Sequence, residues 1–505
     1  MNKSRVDAYT LVVYILLMVK FSVSSDCPIG CQCGDEAPFL ASCIDKGLSE
    51  VPSGIPGTTE ELYIKGNNIK ILQEGTFGDL ASLKRLVFTH NKLKTIESNA
   101  FVGLRELVHL DLRWNHLELL QIHGFSGLFS LKKLDLDFNA IHSIAESAFH
   151  DLNLTKLGLE NNPNLTEMSP DAFKGSNISE VFIYGSNLSS RSVNAFRKLR
   201  RSLKELYWQE NRQAVILPAD IFEGFKFVKL NLDNNGISDA SFLKHISTDD
   251  LSLVGNPIGP LDFSRYSLLH TVRALHLDST NFSQFDQTYF YSLQQLEILH
   301  MQNNGITTIP ESLKSIFSKL KSLKLEGNPL HCNCELIWFK QWLTRVSGSG
   351  VDVTGAVCST PFVDDVSAAD AESMKCSMPR LINITSRVAV QLGSHLNITC
   401  TAEGDPTPQI YWELPDGRIK TYPLSLNRTE TVTQKTYQLK NAKGLDAGLY
   451  RCVAVNLGGN DSAIANVEVK SSTTKSSSSF LLIESGSKIN MLASFCCYLF
   501  CLIYI

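Results

Sequence analysis

The sequence predicts a curved α/β-type repeat solenoid, closed at both ends by cysteine-rich caps and followed by a small all-β sandwich. Three observations carry this. One apolar pattern recurs about every 24 residues between 59 and 330, two groups of four cysteines flank that stretch, and a cysteine pair with a tryptophan between its members follows.

Residues 1–25 fit an export signal. Lys3 and Arg5 form a charged start, "YTLVVYILLMV" (9–19) an apolar core, and "VSS" (23–25) supplies small residues for cleavage. The apolar core is too short to span a bilayer, which takes about 20 residues. Export makes disulfides the expected state of the ten cysteines that fall in even groups: Cys27, Cys31, Cys33, Cys43; Cys332, Cys334, Cys358, Cys376; Cys400, Cys452. Zinc is the rival reading of "CPIGCQC" and "HCNC", and an oxidising compartment disfavours it. Nine N-x-S/T sequons follow the signal, at Asn153, Asn164, Asn177, Asn187, Asn281, Asn383, Asn397, Asn427 and Asn460, and predict a glycoprotein.

Residues 26–58 are the N-terminal cap. Over 59–330 the pattern L-x-x-L-x-L-x-x-N-x-L repeats twelve times, cleanly in "LKRLVFTHNKL" (83–93) and "LVHLDLRWNHL" (107–117), with the central apolar position spaced by 21 to 25 residues. This is the leucine-rich repeat signature. The first residues form a strand, the asparagine turns the chain and bonds neighbouring backbone, and a phenylalanine column (Phe77 to Phe222) fills the convex side. Ser186 and Thr280 replace the asparagine in two repeats. Residues 331–378, opening with "GNPLHCNCELIWFKQWL" (327–343), form the C-terminal cap. A solenoid exposes apolar surface at each end and needs both caps.

Residues 379–470 read as an immunoglobulin-like sandwich. Cys400 and Cys452 bridge the sheets, Trp412 packs on the bridge, and Tyr450 in "DAGLYRC" (446–452) fits the tyrosine corner. Residues 471–490 begin as a Ser-rich stalk, and 491–505 form a terminal apolar run.

Capped repeats followed by one such domain resemble the Lingo family of cell-surface recognition proteins, with Amigo and the neuronal leucine-rich repeat proteins as relatives. "EGDPTPQIYW" (403–412) and "LGGNDSAIANVEV" (457–469) are similar to Lingo within the second domain. The resemblance implies the bridges Cys27–Cys33, Cys31–Cys43, Cys332–Cys358, Cys334–Cys376 and Cys400–Cys452. It also implies an adhesion molecule or co-receptor that binds other glycoproteins, homophilic pairing included.

A net charge of −4 gives no electrostatic reason to expect nucleic acid. The basic run "FRKLRRSLK" (196–204) reads as a solvated edge, with glycosaminoglycan contact as the alternative. No enzyme, cofactor or metal is expected: His90, His109 and His300 are scattered, without a matched nucleophile or carboxylate motif. Strands about 4.8 Å apart give twelve repeats a concave face on the order of 50 Å long. Outward positions nominate Tyr63, His90, Arg113, Trp114, Asp137, Phe138, Tyr184 and Tyr207 as ligand-binding residues, with Trp114 and Phe138 side by side in adjacent repeats. A receptor for microbial ligands and a secreted or matrix ligand-binding protein are the alternative functions.

The run 491–505 is shorter than a membrane span. With small residues at Ser485, Gly486 and Ser487 before it, the expectation is a glycosylphosphatidylinositol attachment signal near Ser485, with a short apolar anchor as the alternative. The expected location is the extracellular face of the cell surface.

Overall fold

The computed structural model describes residues 27–471 apart from 35, 37–38, 212–213, 260, 284–289, 291, 361–364, 371–373 and 423–430. The expected signal peptide, the stalk beyond 471, the terminal run, Ser485 and the Asn427 sequon lie outside these residues.

Each repeat contributes a strand to one concave sheet, and the strands pair in parallel at the central apolar position. Leu62 lies opposite Leu86, then Leu110, Leu134, Leu157, Val181, Leu206, Leu230, Leu251, Leu275, Leu299 and Leu323 follow in register. Each of these side chains is at most 1% exposed. Strand alternation turns this position into the core and its two neighbours onto the concave surface. The caps extend the same sheet, with Leu40–Ser42 pairing in parallel to Glu61–Tyr63 at one end and Asp352–Thr354 to Ser322–Lys324 at the other.

Turns and short 3-10 segments close the convex side. Beneath them Phe77, Phe101, Phe125, Phe149, Phe173 and Phe196 stack in one file, with successive ring centroids 5.2 to 6.1 Å apart. The repeat asparagines are buried and bond both ways. Asn115 donates to the carbonyl of Phe88 at 2.8 Å in the preceding turn and accepts from the amide of Leu93 at 3.1 Å. Asn139, Asn256 and Asn304 repeat this arrangement. Every turn would otherwise bury unpaired backbone groups, so the ladder meets the requirement that buried amides be bonded. Ser186 keeps the connection by donating to Asn211 Oδ1, and Thr280 by donating to Asn304 Oδ1, in the following repeats.

Disulfides Cys27–Cys33 and Cys31–Cys43 cross-link the first cap, and Cys332–Cys358 and Cys334–Cys376 the second. In the second cap the helix Ile337–Val346 lays Trp338, Phe339 and Trp342 against Phe317, on the convex segment ahead of the last repeat strand. Trp338 also donates its Nε1–H to the carbonyl of Ile309 at 2.7 Å.

A second core begins beyond 377. Strands Ser377–Ile384, His395–Asp405 and Val432–Lys440 form one sheet; Arg387–Gln391, Gly459–Lys470, Gly448–Asn456, Gln409–Glu413 and Ile419–Lys420 form the other. Cys400–Cys452 joins them over the fully buried Trp412, and the Tyr450 hydroxyl donates to the carbonyl of Asp446 at 2.9 Å. The cap meets this sandwich at Asp405, which accepts from Asn333 Nδ2 at 2.7 Å and lies 3.0 Å from His331 Nε2.

A candidate recognition face on the concave sheet

The residue ahead of the ladder Asn, Ser or Thr has a left-handed backbone in all twelve repeats. Glycine fills this position at 66, 185, 255 and 327, and asparagine at 161, 234 and 303. These are the residues that tolerate positive φ best. Glu210 and Ser279 hold it in two separate repeats, and three successive repeats place His90, Trp114 and Phe138 there, at φ 55°, 58° and 57°.

The 24-residue repeat brings those three rings into one file across the concave face. His90 and Trp114 stack with centroids 5.6 Å apart, and Trp114 and Phe138 with centroids 4.0 Å apart and planes 6° apart. Trp114 is nonetheless 48% exposed, because the file presents its ring edges to solvent. Burial, and after it Lys65, hold the His90 pKa below its ordinary value, which favours an uncharged ring in the stack.

An ion-pair network lies alongside. Arg113 grips Asp111 with two hydrogen bonds, 2.9 and 2.7 Å long. Asp135 is held by His109 at 2.9 Å and Lys133 at 2.8 Å. Burial pushes the Asp135 pKa up, but those two partners outweigh it and hold it at about 2. Asp137, nominated as a flanking acid, is buried instead. Its Oδ1 accepts from the amide of Glu160 at 2.8 Å, beneath a position where Gly158 has no Cβ to obstruct it. The next repeat folds over this carboxylate, and burial raises its pKa to about 6.

The remaining nominated residues stand apart from the file. Tyr63 is tied to Glu61 by a 2.7 Å hydrogen bond, and burial, reinforced by Glu61, lifts its pKa to about 12. Tyr207 stacks on Phe182 at 4.5 Å, with the Lys156 amine 4.1 Å from the Phe182 ring centre and the Lys229 amine 5.7 Å from that of Tyr207. Tyr184 lies exposed beyond this pair. The network around Asp111 and Asp135 was legible only as "HLDLRW" beside "KLDLDF", one repeat apart; which cation takes which acid depends on side-chain geometry. Of the basic run, Arg197 pairs with Asp220 and Lys198 with Asp171, which supports a solvated edge.

Seven of the eight sequons among the described residues are exposed, with Asn187 half-buried. Asn153 and Asn177 open adjacent strands in register, and their side chains bond at 3.1 Å. Among the described residues no helix is long and apolar enough to cross a membrane.

Comparison with known proteins agrees with the two folds. The leucine rich repeat family model matches residues 58–117, 129–181 and 270–330, and the immunoglobulin I-set domain model matches 379–469. Leucine-rich repeat and fibronectin type III domain-containing protein 1-like protein of Danio rerio is 27% identical over 252 residues, covering 46% of this chain and 35% of that protein. Leucine-rich repeat and fibronectin type III domain-containing protein 1 of Homo sapiens is 29% identical over 246 residues, covering 46% and 30%. The chain thus spans about a third of the length of the curated relatives it matches. A chain in the solved octameric complex of Latrophilin 3, Unc5D and FLRT2 superposes with a TM-score of 0.50 at 22% identity, over 69% of this chain and 99% of that one, a likeness of fold. The protein is a capped leucine-rich repeat solenoid followed by an I-set immunoglobulin domain.

Proposed function

We propose that this protein is an extracellular recognition molecule, an adhesion molecule or co-receptor, that binds a cell-surface glycoprotein through the aromatic file His90–Trp114–Phe138 on its concave face. One observation carries the reading. A bulky residue in the left-handed region costs roughly 1–2 kcal/mol, and this chain places a ring there in three consecutive repeats where glycine or asparagine serves in seven of the other nine and Glu210 and Ser279 in the remaining two. Stacking returns only part of it, about 0.5–1.5 kcal/mol per pair. Exposed rings held against a backbone cost are more useful to an interface than to the fold. The Lingo-like motifs and the leucine-rich repeat relatives support the same class of function, and the Latrophilin 3–Unc5D–FLRT2 assembly shows that a chain of this fold can work inside a multiprotein complex.

Both faces of the Trp114 ring are covered, one by His90 and the other by Phe138. Sugar recognition stacks a pyranose on an open ring face, so the microbial polysaccharide reading is disfavoured relative to a protein partner that meets ring edges. The terminal segment, by its small residues at 485–487 and its apolar run, serves as a glycosylphosphatidylinositol anchor on this reading.

The test is binding of the full chain to a panel of cell-surface glycoproteins and, in parallel, of microbial polysaccharides. The Trp114→Ala, Phe138→Ala double variant should reach the surface normally and lose the protein partner; unchanged binding moves the site elsewhere, with the immunoglobulin domain next. Phosphatidylinositol-specific phospholipase C should release the chain from cells, and retention beside a released control excludes the lipid anchor.

A further inference from the structure

His276 and His300 occupy the same position on adjacent strands in the C-terminal half of the concave sheet. Their Nδ1 atoms are 3.0 Å apart, while the ring centroids are only 4.6 Å apart and the planes 74° from parallel. That centroid distance is shorter than an end-on approach of the two nitrogens gives, so the two rings meet at an angle. Each distal nitrogen has a partner. His276 Nε2 lies 3.5 Å from Asp250 Oδ1, and His300 Nε2 lies 3.2 Å from Ser322 Oγ, which is itself 3.4 Å from Asp352 Oδ2.

The partners decide the tautomers. Ser322 donates its hydroxyl to Asp352 and so accepts from His300 Nε2–H, which leaves the His300 Nδ1 with a bare lone pair. His276 then donates its Nδ1–H to His300, and its own Nε2 faces Asp250 Oδ1 across 3.5 Å.

We propose that His276 and His300 bind a divalent transition metal of the zinc class, chelated through their two Nδ1 atoms. Two nitrogens on one tetrahedral zinc, each about 2.0–2.1 Å from the ion, stand about 3.3 Å apart, close to the spacing already present. Capture needs one rearrangement: the His276 proton moves from Nδ1 to Nε2, where Asp250 Oδ1 accepts it as a hydrogen bond. No proton leaves the protein. Asp250 then supports His276 as a carboxylate commonly supports a metal-bound imidazole. Lys324, paired with His300 on the next strand, and Lys229, 3.0 Å from Asp250 Oδ2, oppose a cation, while Asp352 beside the pair favours it. His109, Asp111 and Asp135 also converge, but there Arg113 and Lys133 occupy the carboxylate oxygens that would be the ligands. Two protein ligands leave coordination positions open, which a carboxylate or imidazole of a protein seated on the concave face would complete. That last step rests on the recognition reading; metal capture does not.

The test is calorimetric titration of the chelator-stripped full chain with Zn2+ alone, no partner present, so that its failure stays separate from failure of the recognition reading. One equivalent should bind. His276→Ala and His300→Ala should each weaken it at least tenfold, Asp250→Asn by about 10–100-fold, and His109→Ala not at all. No binding, binding that survives both histidine variants, or binding lost with His109→Ala overturns the proposal. Should a variant fail to fold, zinc-edge X-ray absorption of the unaltered chain decides. Two imidazole nitrogens at about 2.0 Å support the site, and an all-oxygen or sulfur shell overturns it.

Discussion

Trp114 and Phe138 lie face to face, ring centroids 4.0 Å apart, each on a left-handed backbone that glycine occupies in four other repeats of the same solenoid. Ring and backbone are therefore separable. Trp114→Gly with Phe138→Gly removes both rings and relieves both strained positions at once. Losing the stack costs about 0.5–1.5 kcal/mol, and relief returns about 1–2 kcal/mol per residue. Thermal unfolding should show the double variant at least as stable as the original chain, while partner binding is lost. A fall in Tm of many degrees would show that the rings serve the fold.

The ladder makes the opposite prediction. Asn235 is fully buried, donates to the carbonyls of Trp208 at 2.7 Å and Leu232 at 3.0 Å, and accepts from the amide of Asn211 at 3.0 Å. Asn235→Ala strands three buried backbone groups and should cost about 3 kcal/mol. Urea unfolding should report a lower midpoint, and secretion should fall with it.

Asp137 predicts a pH effect. Its folded pKa of about 6 stands above the ordinary 3.8, chiefly through burial. Its contribution is thus fully present below pH 3.8 and lost as pH rises through 6. Asp137→Asn keeps an acceptor for the Glu160 amide without the buried charge. It should gain on the order of 2–3 kcal/mol at neutral pH, and the difference from the original chain should vanish towards pH 4. Unfolding midpoints measured across that range would show a constant difference if the burial argument were wrong.

At the junction between the cap and the sandwich the signs combine. The hydrogen bond to Asp405 outweighs burial and raises the His331 pKa above 6.5, so this contribution is present below pH 6.5 and fades as pH rises past the folded value. Burial pushes Asp405 up, but His331 and Asn333 outweigh it and hold its pKa below 3.8, so its contribution is lost only in stronger acid. The junction should be tightest between those limits. Small-angle scattering of the full chain should show a narrower distribution of shapes at pH 5.5 than at pH 8, and Asp405→Ala should abolish the difference.

Much of this molecule is legible without coordinates because its determinants are local and periodic. Leu62 through Leu323 mark the strands, Phe77 through Phe222 the convex file and Asn67 through Asn328 the turns, since every repeat must solve the same burial and hydrogen-bonding problem with the same residue types. Spacing alone places Trp114 beside Phe138, because residues one repeat apart are neighbours on adjacent strands. Tertiary structure decided what those neighbours do. Asp137 shares an outward-facing segment with Phe138, yet the following repeat covers it and bonds it to Glu160, and no pattern in one repeat reports the shape of the next. His276 and His300 are an ordinary pair of histidines in the sequence; only side-chain rotation, set by Asp250 and Ser322, turns their Nδ1 atoms towards each other. Asp405 meets His331 across 74 residues of chain, a contact that exists only once two separate cores have folded. Periodicity encodes which residues share a row; the rotamers and ion pairs within that row depend on the packed neighbours.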